Sequence, residues 1–339
     1  MTRVLIIRML GLGDVFCIGI PALRLLRKQW PDAQFGFLTF ASGGEAIALE
    51  PGLDDVIVLP KGGWPNDILP AIGAFAALAE KIVAARYNVV YNLDTWFMPC
   101  FMARLLKDAG MDLRGNFTRC SVRDLAHRAA TGTLLADDVR FPVRYMDSTF
   151  PNMPAWHSGP WWQTHPGAGA YPSFYINHCC GINGTVDGRL DVPPDLAFRE
   201  QAGGRRIIAL APHSRTQNRK YPFSEDVRAL LEKHGFMTWV GFDGSIPLRD
   251  TIARLKVTDL LVSVASSPQW MAAAAGCPVL MIPGPVPPEV LGADVTAPRQ
   301  LPCQYCMQED CIEDLQFKCM RVPPDVVADL AVKFLGRCG

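Results

Sequence analysis

The sequence predicts an α/β chain folded as two Rossmann-like domains, on three observations. Its 339 residues are enough for about two domains of ordinary size. Short β-branched runs alternate with longer helical stretches through the first 145 residues, and the alternation restarts at Arg206. Between the two arrays lies a stretch, residues 146–175, with no clear period.

In the first array residues 4–8 (VLIIR) read as a strand and 9–13 as a glycine-containing turn. Residues 15–30 follow as a helix, with apolar positions at Val15, Ile18, Leu23 and Leu26 and with Pro31 beyond its end. Residues 35–39, 56–59 and 89–93 are further strands, and 72–86 and 99–107 are the helices around them. Helices of this length between strands imply βαβ units and a parallel sheet. The middle stretch holds Pro151, Pro154, Pro160, Pro166 and Pro172 with Trp156, Trp161 and Trp162. It reads as a loop-like insertion that either lines a binding cleft or packs as a surface excursion. In the second array residues 207–210, 237–240, 260–264 and 279–282 are strands. Residues 224–234, 247–255 and 269–275 are the helices between them, and 325–335 is a closing helix. The expected domains are 1–183 and 184–339, facing each other across a cleft where the carboxyl ends of both sheets meet.

Composition narrows the function. Lys plus Arg and Asp plus Glu each number 33, so the formal net charge is zero. That balance argues against nucleic-acid binding by bulk charge. With 49% apolar residues and 19% charged ones, below the roughly 25% usual for soluble domains, the chain can bury a large core and is not globally disordered. Arg8 and Asp14 interrupt the apolar start, so no signal peptide is expected. Residues 271–286 are broken by Gly276, Pro278, Pro283, Gly284 and Pro285 and are too short to cross about 30 Å of hydrocarbon. A cytoplasmic location is expected, the inner face of the inner membrane included. The small basic group Arg24, Arg27 and Lys28 allows at most peripheral membrane contact.

Three segments carry chemistry. Gly11-Leu12-Gly13-Asp14 joins the first strand to the first helix, where open α/β sheets bind ligands and where a glycine such as Gly13 lets a ligand approach the backbone. The segment lacks the third glycine of a dinucleotide fingerprint, which weakens an NAD-type oxidoreductase reading. Asp14 is either a helix N-cap or a general base projecting into the cleft. Residues 213–222 (HSRTQNRKYP) place Ser214, Thr216, Arg219 and Lys220 at the end of the second array's first strand. Hydroxyls and cations there suit a diphosphate, whose developing charge needs fixed donors; the alternative is a solvated polar loop. Ser266 and Ser267 open the alanine-rich helix after residues 260–264, as a cap or as donors to an anion. Phe242 follows the second strand of this array and either packs on a nucleotide base or belongs to the core.

Taken together, the ordered blocks VLIIRMLGLGDVFCIGIPALRLLRKQWPDAQ, RKYPFSEDVRALLEKHG, VTDLLVSVASSPQWMAAAAGCPVLMIPGP and PCQYCMQEDC…KCMRVPPDVV resemble glycosyltransferase family 9, the ADP-heptose:lipopolysaccharide heptosyltransferases. The resemblance covers both ends of the chain and is poor across about residues 110–200. It implies a GT-B fold and transfer of a heptose or related sugar, with inversion, from a nucleoside-diphosphate donor such as ADP-heptose. The implied acceptor is a lipopolysaccharide core or a protein hydroxyl. The resemblance matches Asp14 to the family's proposed base and Lys220 to its donor-phosphate lysine. The family's D-T-G becomes Ala265, Ser266 and Ser267, its following histidine becomes Trp270, and the glycine of its H-P-G segment becomes His213. These departures leave open a catalytically altered sugar-nucleotide- or metal-binding protein on the same fold.

Cys303, Cys306, Cys311 and Cys319 form C-x2-C-x4-C-x7-C, a spacing that suits an S₄ metal site. Zinc, iron and unmetallated thiols remain open from the spacing. Related protein heptosyltransferases of the autotransporter branch bind iron through C-terminal cysteines, which favours iron by resemblance. Such an ion would be structural, and no cofactor is expected for catalysis. Cys17, Cys100 and Cys277 read as core residues. The oligomeric state is left open.

Overall fold

The computed structural model describes the chain apart from residues 10, 61–66, 309, 312–315 and 338–339. It divides into two compact units, residues 1–168 with 172–187, and residues 169–171 with 188–339. Among the described residues no helix is long and apolar enough to cross a membrane.

The first unit is built on six strands: β1 (Arg3–Ile7), β2 (Gln34–Phe40), β3 (Asp55–Leu59), β4 (Val89–Asn92), β5 (Asp112–Thr118) and β6 (Met146–Ser148). Their order is β3-β2-β1-β4-β5-β6, parallel except for β6, which runs antiparallel to β5. β1 is central, and Val4, Leu5, Ile6 and Ile7 are all 0% exposed, so its unbroken apolar run belongs to a strand covered on both faces. Each such side chain contributes about 1.5–3 kcal/mol of burial.

The expected first helix opens with a π-helical turn, Val15–Gly19, before the α-helix Ile20–Gln29. Val15, Ile18, Leu23 and Leu26 are all buried, as the pattern requires. β5 and β6 were not foreseen. β5 (DLRGNFT) has no apolar run and becomes a strand because β4 offers it a parallel partner.

Part of the proline- and tryptophan-rich stretch packs on the first unit. It holds the short helices Met153–His157 and Trp161–Thr164 and runs into the π-helical turn Phe174–Cys179. Trp161 stacks on the fully buried Phe174 with ring centroids 4.1 Å apart.

The second unit has five parallel strands: β7 (Ile207–Ala211), β8 (Met237–Trp239), β9 (Leu260–Val264), β10 (Val279–Ile282) and β11 (Val295–Thr296). Their order is β11-β10-β9-β7-β8. The helices Ser224–Lys233, Leu248–Leu255, Ser267–Ala275 and Pro324–Arg337 follow the expected plan. Gly276 ends the third of these with φ +78, the left-handed cap that glycine adopts without strain.

His157 gives the first unit a pH dependence. Its Nε2 is buried without a hydrogen-bond partner among the described residues, and burial lowers its pKa from 6.5 to about 4. The unfolded chain therefore takes up this proton before the folded chain does. Stability at this position is full above about pH 6.5 and falls as the pH drops toward 4. Urea unfolding from pH 7 to pH 4 should show the wild type losing more stability than His157→Leu, and equal losses would refute the assignment.

Candidate active site

Each sheet reverses its strand order beside its first strand. In the first unit the chain runs outward through β2 and β3, then returns to the other side of β1 to place β4. Crossovers on the two sides leave from opposite faces, which opens a crevice at the carboxyl ends of β1 and β4. In the second unit the same reversal lies between β7 and β9. Every segment that the sequence marks for donor or acceptor chemistry, except Phe242, leaves a strand at one of these two points.

At the first point the residue after β1 is Arg8, only 4% exposed. Its Nη2 lies 3.2 Å from Asp14 Oδ1 and its Nη1 3.5 Å from Asp94 Oδ1. Nη1 also donates to the Leu93 carbonyl at 2.6 Å, and the guanidinium carbon sits 5.8 Å from the centre of the Tyr175 ring. A guanidinium this buried must be paired and hydrogen-bonded, and the two carboxylates meet that need. The backbone N–H of Met9 donates to Asp94 Oδ2 at 2.5 Å. Behind Asp94, the side-chain amide of Asn116 donates to the Asp94 carbonyl at 3.0 Å and to the Tyr175 hydroxyl at 3.2 Å. The Tyr175 hydroxyl donates in turn to the Leu93 carbonyl at 2.8 Å.

The two carboxylates differ in access. Asp94 has 1% of its side chain exposed and Asp14 has 26%. Asp14 is thus oriented from behind by Arg8 while one side stays open. Among the described residues its side chain makes no cap hydrogen bond. Gly11 is required here on two grounds. Its φ is +76, and a Cβ would come within 2.7 Å of Asp14 Oδ2. Gly13 is buried within the short helical turn Leu12–Asp14. Arg8 and Asp94 were not foreseen as functional residues. Their only signal is their place just past the ends of β1 and β4.

At the second point the loop after β7 closes on itself, with the Tyr221 N–H donating to the Pro212 carbonyl at 2.9 Å. Inside it the Ser214 and Thr216 hydroxyls lie 3.4 Å apart, and Gln217–Arg219 make a turn of 3₁₀ helix. Arg219 donates from Nη1 to the Ala265 carbonyl at 3.1 Å and from Nε to Thr216 Oγ1 at 3.3 Å. This brings the 213–222 loop to the start of the Ser266-Ser267 segment. Lys220 is exposed, and its ammonium makes no hydrogen bond or ion pair among the described residues. Ser266 occupies the N-cap of a nine-residue helix without a side-chain cap bond; its hydroxyl donates to the Val264 carbonyl at 3.3 Å. Ala265 is 4% exposed, so its methyl is buried and its carbonyl serves Arg219. Phe242 sits apart, past the edge strand β8, half-buried against Trp239 with ring centroids 5.0 Å apart.

The four cysteines line one small cavity of about 30 Å³, together with Pro285, Leu301 and Phe317 among others. Cys319 is buried, and its thiol is pushed up to about 11 by burial and by the nearby Cys306, Cys311 and Cys303. The Phe317 N–H donates to Cys311 Sγ at 3.4 Å. Tyr305, Met307, Gln316 and Phe317 all have positive φ, a conformation costing about 1–3 kcal/mol each outside glycine. Among the described residues no three His, Cys, Asp or Glu side chains already stand as a metal-holding group. Cys17, Cys100 and Cys277 are buried, as expected, and burial raises each thiol pKa.

No known family pattern and no curated protein matches the sequence. Solved structures do. The glycosyl transferase family 9 protein from Veillonella parvula aligns with a TM-score of 0.63 and 16% identity, covering 99% of this chain and 98% of that one. The E. coli heptosyltransferase WaaC, determined with ADP-2-deoxy-2-fluoro heptose, aligns at 0.57 and 13% identity over 100% of both chains. The iron-containing dodecameric glycosyltransferase TibC from enterotoxigenic E. coli aligns at 0.56 and 13% identity, covering 99% of this chain and 76% of that one. The fold is therefore that of family 9 glycosyltransferases, with a Rossmann-like sheet in each unit, as the sequence blocks led us to expect.

The Arg8 network makes a stability prediction. Arg8→Met removes the guanidinium from beside the buried Asp94 and should cost about 3–5 kcal/mol in urea unfolding. Adding Asp94→Asn should restore a large part of that loss, because no buried carboxylate is then left. Strict additivity of the two changes would show that the residues do not depend on each other.

Proposed function

We propose that the chain is an inverting glycosyltransferase that moves a heptose or related sugar from a nucleoside-diphosphate donor, ADP-heptose first among candidates, to an acceptor hydroxyl. The observations that carry this reading are the oriented, half-open carboxylate of Asp14 at one strand reversal and, at the other, hydroxyls with a lysine unpaired among the described residues. The fold shared with known heptosyltransferases supports it. The acceptor class is a lipopolysaccharide core or a protein side chain, and the work is placed in the cytoplasm.

In this reading the acceptor oxygen attacks the anomeric carbon as its proton passes to Asp14. The bond from that carbon to the diphosphate oxygen breaks on the opposite side, and the nucleoside diphosphate leaves with the electron pair. Lys220 and the hydroxyls of Ser214, Thr216, Ser266 and Ser267 hold the departing phosphates, where charge grows in the transition state. Gly13 leaves room at the backbone, and Phe242 offers a ring face to the base. Arg8 holds Asp14 in place. The buried Ala265 methyl adds no polar contact, so sugar selectivity rests on the serines and on groups around them.

We also propose a structural iron or zinc ion at Cys303, Cys306, Cys311 and Cys319. The four cysteines border one small cavity and the Phe317 N–H donates to the Cys311 sulfur, although among the described residues no three side chains already stand as a metal-holding group. An ion held by these four thiolates would be structural, stabilising the loop's backbone and supplying no catalytic step.

Release of nucleoside diphosphate from ADP-, GDP- and UDP-sugars tests the activity. Asp14→Asn should lower kcat by about 10²–10⁴-fold with donor affinity unchanged. Lys220→Ala should weaken donor binding roughly tenfold or more. Donor binding without turnover in the wild type would instead identify a sugar-nucleotide-binding protein. Elemental analysis of protein purified without added metal should find close to one iron or zinc per chain, and neither metal present would end that proposal.

A further inference from the structure

The four-cysteine loop and the Lys220 loop are fastened together. The Asn218 side-chain amide, in a residue only 4% exposed, donates to the Gln308 carbonyl at 2.9 Å. Gln308 lies two residues after Cys306, and its neighbour Met307 donates its N–H to the Pro285 carbonyl at 2.9 Å. A second clasp joins the Tyr221 hydroxyl to the Val322 carbonyl at 2.9 Å, three residues past Cys319. The two clasps grip the cysteine segment on either side of its last two thiols. On the other flank of Asn218, Arg219 reaches the Ala265 carbonyl directly before Ser266 and Ser267.

The Lys220 turn is closed by one short backbone bond, from the Tyr221 N–H to the Pro212 carbonyl at 2.9 Å. Its other internal backbone bonds, Arg219 N–H to Thr216 at 3.4 Å and Lys220 N–H to Gln217 at 3.2 Å, are long. The clasps to the cysteine segment and to Ala265 add to what holds it. The cysteine segment, for its part, keeps four residues at positive φ, a shape that costs free energy unless the surroundings enforce it. Ordering one segment therefore favours the other.

We infer that Asn218 is a positioning residue through which the four-cysteine loop sets the Lys220 segment, so that an ion in the thiol cavity and a nucleoside diphosphate at Lys220 strengthen each other's binding. The link to the nucleotide rests on the donor-site reading above; the link between the two loops does not. By thermodynamic reciprocity, whatever factor the ion adds to nucleotide affinity, the nucleotide adds to ion affinity.

The test uses the whole chain loaded with zinc or iron, before and after stripping with a chelator. In the wild type, stripping should speed backbone amide exchange at residues 216–221 about tenfold and weaken ADP binding about fivefold, within the usual span of coupled sites. Asn218→Leu keeps the side-chain volume but cannot donate, and the exposed Gln308 carbonyl can turn to water, so this variant should fold and bind its ion. In it, residues 216–221 should exchange fast in both states, and stripping should no longer change ADP affinity. Tyr221→Phe, which removes the second clasp alone, should give a partial loss. Exchange at 216–221 that ignores stripping, an Asn218→Leu variant that responds like the wild type, or a chain that takes up neither metal would each overturn the inference. If the loops respond as expected but ADP, GDP and UDP all fail to bind, the coupling stands and the donor-site reading falls.

Discussion

The reversal of strand order beside β1 and beside β7 is the constraint on which the rest of the molecule depends. A parallel sheet can be built outward in one direction only until the chain turns back, and at the turn the flanking crossovers part to opposite faces. Loops at that point have no helix above them. They can hold polar groups that a covered strand end would have to bury. Arg8, the Gly11–Asp14 turn and Asp94 occupy one such gap, and the 213–222 and 265–267 loops occupy the other.

Within the first gap, burial divides the labour between two carboxylates. Arg8 bridges both, but Asp94 is sealed by Met9, Asn116 and Tyr175 around it, while Asp14 keeps a quarter of its side chain open. A sealed carboxylate can balance charge and hold a guanidinium in place. Only the open one can meet a substrate. The π-helical turn that follows Asp14 widens the start of the first helix at this place, a feature often found at functional sites.

The second gap is assembled from tertiary contacts more than from local structure. Arg219 ties the lysine loop to the end of β9, and Asn218 and Tyr221 tie it to the cysteine segment. Among its described residues the cysteine segment has little regular structure and several residues at positive φ. Its described residues are held from outside by the clasps to Asn218 and Tyr221.

How much of this could be read without the fold is clear from particular residues. The sequence by itself determined the strands at 4–8, 260–264 and 279–282, because unbroken apolar runs have few places to go except a covered parallel sheet. It also marked the Gly11–Asp14 turn, the Ser214–Lys220 loop, the serines at 266 and 267 and the cysteine spacing, since each pattern is local. It did not show β5, whose polar run is a strand only because β4 lies beside it. It did not single out Arg8 or Asp94, which lie 86 residues apart and meet only when β4 returns to the side of β1. Nor did it show that Asn218 touches Gln308. Those pairings are decided by topology, because long-range hydrogen bonds between common polar residues leave no periodic trace in the chain that makes them.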